Sequence, residues 1–224
     1  LLGDRVRMQD HALDSGVYIR SMASRGHLGG LSWAAPQALR VLDAAGCDVV
    51  LVETVGVGQS EVEVAGLADT TVVLLAPGMG DGIQAAKAGI LEIGDLFVVN
   101  KADRDGADTT VREIRHMISL GESRQPGDWR PSVTKTVASS GEGVDELMGA
   151  LDKHHEWLTR TGTLRERRVR RAADEIEAIA VSRLRERMGN LRHGSALDDL
   201  AAGVVDGTTD PYSAADEMVD AVTA

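Results

Sequence analysis

The chain holds a single cysteine, Cys47, in 224 residues. That excludes an internal disulfide and fits a reducing compartment. Aromatic residues make up only 3%, so a core must be built from Val, Leu, Ile and Ala. Proline is scarce at 5 while glycine reaches 25, a balance that suits an α/β protein with glycine turns. No apolar run approaches the roughly 20 residues of a membrane span, and no signal peptide pattern is visible, so no membrane partner is expected. Positive charge is the minority: 24 Lys and Arg stand against 35 Asp and Glu, a formal net charge of −11. Phosphate backbones need clustered cations, so nucleic acid is not expected as a main partner. The histidines show no metal-ligand spacing with one another or with Cys47 and are expected at the surface. His154 and His155, neighbours on a helix, are expected to face different ways. No serine sits in the glycine pattern of a nucleophile elbow.

What is present is globular: 43% of residues are hydrophobic, too many for a disordered chain. Ser32 can cap a helix that runs to Gly46. The apolar runs "CDVVLVET" (47–54), "TTVVLLAPG" (70–78), "DLFVVNKAD" (95–103) and "SVTKTVAS" (132–139) read as strands buried on both faces. Helices are expected between them, over 82–94 and 107–120, and after them over 143–158. This alternation predicts a doubly wound, mostly parallel sheet with right-handed crossovers. From about Thr161 the strands stop and charges crowd, so the expected domains are 1–160 and 161–224. The second region reads as a long helix with apolar positions at Ile176, Ile179, Ala180 and Leu184, then two shorter helices. The basic run Arg165 to Arg171 reads as a solvated helix face, with an anionic partner as the alternative.

Polar residues at strand ends carry the chemistry, because open α/β sheets bind ligands at their carboxyl edge. Glu53 ends the first apolar run. A carboxylate there can serve hydrated Mg²⁺, which takes one or two carboxylates plus phosphate oxygens; an ordinary cap or salt-bridge acid would look the same in isolation. The following "GVGQS" imitates a phosphate-binding loop, G-x-x-x-x-G-K-[ST]. Aligned on Gly58, Gln59 and Ser60, the motif needs glycine where Glu53 stands and lysine where Gln59 stands. Both demands fail. A glycine-rich segment after a metal-binding acid instead suits a γ-phosphate sensor, with Gly56 and Gly58 free to approach phosphate and to move on hydrolysis.

"NKAD" is more specific. Asp103 can accept hydrogen bonds from N1–H and the 2-amino group of guanine, whereas adenine offers neither donor and would leave the carboxylate unpaired. Asn100 can bond the opposite edge of the base, and the Lys101 stem can lie along its face. The backbone N–H groups of Val137, Ala138 and Ser139, after the last strand, are candidates for the guanine oxygen.

Together, "LLGDRVRM", "GHLGG", "AAGCDVVLVETVGVGQSE", "APGMGDGIQAAKAGILEIGDLFVVNKAD" and "GEGVDEL" resemble the MeaB/ArgK-type GTPases. These are chaperones associated with methylmalonyl-CoA mutase, and the human methylmalonic aciduria type A protein belongs with them. The likeness runs from residue 1 to about 160 and fades in the helical tail. It implies a P-loop GTPase fold, binding of GTP, GDP and Mg²⁺, slow hydrolysis, a homodimer and a cytoplasmic, bacterial setting. It also implies gated delivery of adenosylcobalamin to the mutase and protection of that enzyme. By motif, Asp4 and Glu53 would join the Mg²⁺ and γ-phosphate network, and Gln59 would lie in a switch. Residues 78–89 would form the switch that responds to the mutase, with Asp81 and Lys87 as its charged contacts. Read without the family, Lys87 is a solvent-exposed helix lysine. The tail would match the family's dimerisation arm in position and helicity.

The family places its Walker A loop before its "GD[RK]xRM" block, with which this chain begins. The resemblance therefore implies a longer parent protein. Phosphoryl transfer depends on electrostatic stabilisation, so these residues alone are expected to hydrolyse GTP hardly at all and to be poorly stable. Two alternatives stay open: a metal-insertion GTPase of the same class, and a nucleotide-free interaction and dimerisation module.

Overall fold

A computed structural model of the chain describes residues 8–11, 13–22, 35–54, 66–78, 90–120, 125, 127–192 and 195–223. It divides into two compact units, Leu1–Arg165 and Glu166–Ala224.

Among the described residues the first unit is built on three parallel strands: β1 (Val72–Leu75), β2 (Leu96–Val99) and β3 (Ser132–Lys135), in the order β1-β2-β3. Val72 pairs with Leu96 and Leu96 with Ser132; Leu75 pairs with Val99 and Val99 with Lys135. Because the register is level, all three strands end at one edge of the sheet. That edge carries the polar turns described below.

β2 is the central strand, and all four of its residues are buried. Alternation sends Phe97 and Val99 to one face. There they join Val73, Leu75, and Ala107, Val111 and Ile114 of a helix in one apolar cluster. That helix, Ala107–Leu120, buries the residues spaced four and three apart, as an amphipathic helix must. Full burial of side chains such as Phe97 and Ile114 contributes about 1.5–3 kcal/mol each. Gly94 precedes β2 because nothing larger fits: a Cβ there would meet the Phe97 ring and the Val73 methyl at 3.0 Å or less.

Leu96 and Val98 point to the opposite face and are equally buried. The helix Val144–Thr161 packs against β2 and β3. In chain order the described helices are α1 (Ala35–Ala44), α2 (Ile90–Ile93), α3 (Ala107–Leu120), α4 (Val144–Thr161), α5 (Thr163–Arg192), α6 (Ser195–Val205) and α7 (Pro211–Thr223). Gly162, at φ 79°, ends α4 by donating its N–H to Thr159 O. The thirty residues of α5 extend about 45 Å at 1.5 Å per residue.

Two expectations need correction. Residues 47–54 are described but form no strand: Val49 is 74% exposed and Leu51 89%. An apolar run shows that a segment can be buried on both faces, but a strand also needs a hydrogen-bonding neighbour, and no described residue provides one. The expectation of surface histidines fails at His154, which is fully buried, while His155 is exposed. His154 lies four residues before the buried Leu158 and so shares its face of α4. Its Nδ1 is 2.9 Å from Thr70 Oγ1 and its Nε2 3.4 Å from Asp95 Oδ1. Trp129 and Trp157 flank the ring, with centroids 4.6 Å and 5.9 Å away. Trp129 Nε1–H donates to Asp95 O, and Trp157 Nε1–H to Gly127 O.

In the second unit α6 packs on α7. The turn between them is closed by Thr208, whose N–H and hydroxyl both donate to Gly203 O. Asp210 caps α7: Oδ1 accepts from the N–H groups of Tyr212 and Ser213, and Oδ2 from the Ser213 hydroxyl. None of the described helices is long and apolar enough to cross a membrane.

Candidate functional site

The carboxyl ends of β2 and β3 are joined by a dense set of hydrogen bonds. Asn100 N–H donates to Leu75 O at 2.8 Å, so the residue after β2 still follows the β1 ladder. Thr136 N–H donates to Val99 O at 2.9 Å, and Thr136 O accepts from Ala102 N–H at 3.0 Å. Between these bonds the chain must reverse, and Lys101 does so at φ 56°. Left-handed backbone is uncommon for a residue with a Cβ, and such strain gathers at functional turns.

The side chain of Asn100 is held as firmly as its backbone. Its Oδ1 accepts from Ala138 N–H at 3.1 Å and from the Thr136 hydroxyl at 3.3 Å. Val137 N–H donates to Glu142 O at 2.9 Å, and Val137 O accepts from the N–H groups of Ser140 and Gly141. Residues 137–142 are therefore a tight closed loop beside the Asn100 turn. Gly143, at φ 76°, brings the chain back against β3. A Cβ on it would collide with Lys135 O.

The exposed groups on this edge suit a planar heterocycle. Lys101, Asp103, Ala138 and Ser139 are exposed, and Asn100 and Val137 are half-buried. With its carbonyl oxygen occupied twice, the Asn100 amide has two N–H donors left for a ligand. Asp103, three residues on, offers two carboxylate oxygens as acceptors. Amide donors and carboxylate acceptors on one exposed turn are the groups that a purine with acceptors at one edge and donors at another requires.

The structure thus brings together Asn100 and the loop of Val137, Ala138 and Ser139, with Lys101 and Asp103 on the same turn. Glu53 is exposed, in the segment that forms no strand. Asp4, Gln59, Asp81 and Lys87 lie outside the described residues. Among the described residues no group of three or more His, Cys, Asp or Glu side chains could hold a metal ion. Sequence reasoning missed Thr136 and Gly143. The signal for Thr136 was its place as the last residue of the strand run before "VAS"; for Gly143 it was the second glycine of "GEG".

A family model described as methylmalonyl Co-A mutase-associated GTPase MeaB matches residues 1–192. The chain belongs to the MeaB family. A provisionally named GTPase of Pyrococcus abyssi is 46% identical over 98% of this chain and 68% of its own length. The GTPase ArgK of Escherichia coli is 40% identical over 78% of this chain and 53% of its own. A crystal structure of an LAO/AO transport system kinase superposes with a TM-score of 0.61 at 27% identity, covering 85% of this chain and 62% of that one. The α/β fold of this MeaB-family chain is therefore that of a P-loop GTPase, and the family implies binding of a guanine nucleotide. The family's name describes its members as associated with methylmalonyl-CoA mutase.

Proposed function

We propose that this protein is a GTP-binding and GTP-hydrolysing chaperone that gates adenosylcobalamin loading and protects a cobalamin-dependent mutase of the methylmalonyl-CoA type. The observation that carries the reading is the Asn100 side chain, fixed through Thr136 and Ala138 with its amide donors free, on the same exposed turn as the Asp103 carboxylate. In this reading Asp103 accepts from guanine N1–H and the 2-amino group, Asn100 binds the opposite edge, and Lys101 covers the ring face. A backbone N–H of the 137–139 segment would serve the guanine oxygen.

Ala138 N–H is already given to Asn100, and Val137 N–H to Glu142. Ser139 is therefore the best placed of the three to reach the ligand. Glu53 and Asp4 would supply the one or two carboxylates that Mg²⁺ takes alongside phosphate oxygens. Gln59, Asp81 and Lys87 would act in the segments that answer to the γ-phosphate and to the mutase. The second unit would serve a homodimer.

The test is nucleotide preference. Titration calorimetry is expected to find GDP bound in preference to ADP, and Asp103→Asn is expected to cut the affinity for GDP by about tenfold or more and abolish the preference. Equal affinity of the unaltered protein for both nucleotides would sink the guanine assignment.

A further inference from the structure

We propose that His154, Asp95 and Thr70 form a proton-responsive latch at the amino edge of the sheet. The protonated imidazole holds residues 127–131 closed over α4, and the neutral ring lets them loosen.

Four stretches of chain meet on this ring. Thr70 comes just before β1, Asp95 just before β2 and Trp129 just before β3, while His154 and Trp157 belong to α4. The imidazole is fully buried and Asp95 is 6% exposed. The carboxylate is held in place, because Oδ2 accepts from Thr71 N–H at 2.9 Å. Its Oδ1 lies 3.4 Å from His154 Nε2, close enough for an ion pair but outside hydrogen-bond geometry. A bare lone pair on Nε2 would face a carboxylate oxygen, so this nitrogen carries hydrogen. The proton that comes and goes is the one on Nδ1, which is 2.9 Å from the Thr70 hydroxyl. A hydroxyl donates to the neutral ring and accepts from the imidazolium. Neither state sets donor against donor.

Asp95 and two indoles attract the cation. A charged N–H makes a stronger bond to a carboxylate than a neutral one does. The Trp129 and Trp157 ring centroids lie 4.6 Å and 5.9 Å from the imidazole, within the reach of cation–π attraction. Burial works against the charge, so the contact depends on these three partners. The other charged groups on the surrounding elements are Asp69 before β1, Asp128 and Arg130 in the 127–131 segment, and Lys153, His155 and Glu156 on α4. All but the half-buried Asp69 are exposed, and Asp128 is turned to Gln125 N–H. Among the described residues Asp95 is the carboxylate in contact with the ring.

The same residues fasten the 127–131 segment. Trp129 Nε1–H donates to Asp95 O at 2.8 Å, and Trp157 Nε1–H to Gly127 O at 2.9 Å. Drawing the imidazole toward Asp95 therefore tightens both indole bonds. By linkage, a contact that closes on a proton loosens as pH rises through the range in which histidine changes charge.

The experiment follows hydrogen exchange of the Trp129 and Trp157 indole N–H groups by NMR between about pH 5 and about pH 8. Rates are corrected for intrinsic exchange, and the His154 ring resonances are recorded in parallel. Protection of both indoles is expected to be about fivefold higher at the acidic end and to follow the ring resonances. His154→Gln and Asp95→Asn should abolish the difference. Thr70→Val, which removes the acceptor for Nδ1–H at a half-buried position, should reduce it and decides the matter if the buried variants do not fold. Protection that stays flat with pH in the unaltered protein would overturn the latch. So would a pH dependence that survives undiminished in Thr70→Val or Asp95→Asn, or a His154 ring that titrates while both indoles stay unchanged.

Discussion

Gly143 shows how closely a single residue can govern this edge of the sheet. Its φ of 76° lies in the left-handed region, and a Cβ would strike the Lys135 carbonyl oxygen. Gly141, two residues earlier, has nearly the same φ of 80° but open space around it. The pair separates two costs. Gly141→Ala carries the backbone penalty alone, about 1–2 kcal/mol. Gly143→Ala adds a steric conflict with fixed backbone and is expected to cost about 3 kcal/mol or more. Urea denaturation of the two variants checks the order; equal midpoints would mean that the 137–142 loop shifts freely. Asn100, Lys101 and Asp103 stood out in the sequence because their types and spacing are those a guanine base would demand, and the structure sets all three on one turn. Thr136 and Gly143 did not, because one serves another side chain and the other serves backbone shape. Neither demand leaves a pattern within a short window.

At the scale of elements, α7 offers a pH-dependent test. The Ser213 hydroxyl first, and then the N–H groups of Ser213 and Tyr212, hold the Asp210 carboxyl below the ordinary aspartate range. A carboxylate whose folded pKa is depressed stabilises the helix at neutral pH, and that contribution disappears as pH falls through the folded value. The Tyr212 and Ser213 amide resonances are expected to shift over that acidic window. Asp210→Asn, which retains a capping oxygen, should remove the dependence; a persisting shift would assign the titration elsewhere. The strands show what apolar runs can and cannot reveal. β2 was legible because a continuous apolar run flanked by glycine and a polar turn matches a strand buried on both faces, and every residue of β2 is buried. Residues 47–54 have the same composition but no described strand beside them, and pairing is a property of the neighbour. His154 was misjudged because residue type was weighed above its place four residues from Leu158 on the face of α4.

At the scale of the whole molecule, the chain combines an acidic formal charge of −11 with apolar side chains left open on its longest helix. Val169, Ile176 and Leu184 of α5 are 54%, 69% and 45% exposed. At 100° per residue they fall on one side of that helix. If the second unit serves a homodimer, this stripe is where a second copy would bury apolar surface. Sedimentation velocity is then expected to find dimers, and Ile176→Glu should raise the dissociation constant by at least about tenfold. Dimers that persist unchanged in that variant would move the contact elsewhere. The amino edge of the sheet has a different use. Asp95 precedes β2 and Asn100 follows it, so the Trp129–His154–Trp157 cluster and the Asn100 turn stand about 16 Å apart along the strand direction. Two of the chain's three tryptophans are thus wrapped around a buried imidazole at the edge opposite the Asn100 turn. Their emission is a built-in optical gauge of whether the first unit is folded, and it can be read while ligand is added at the other edge.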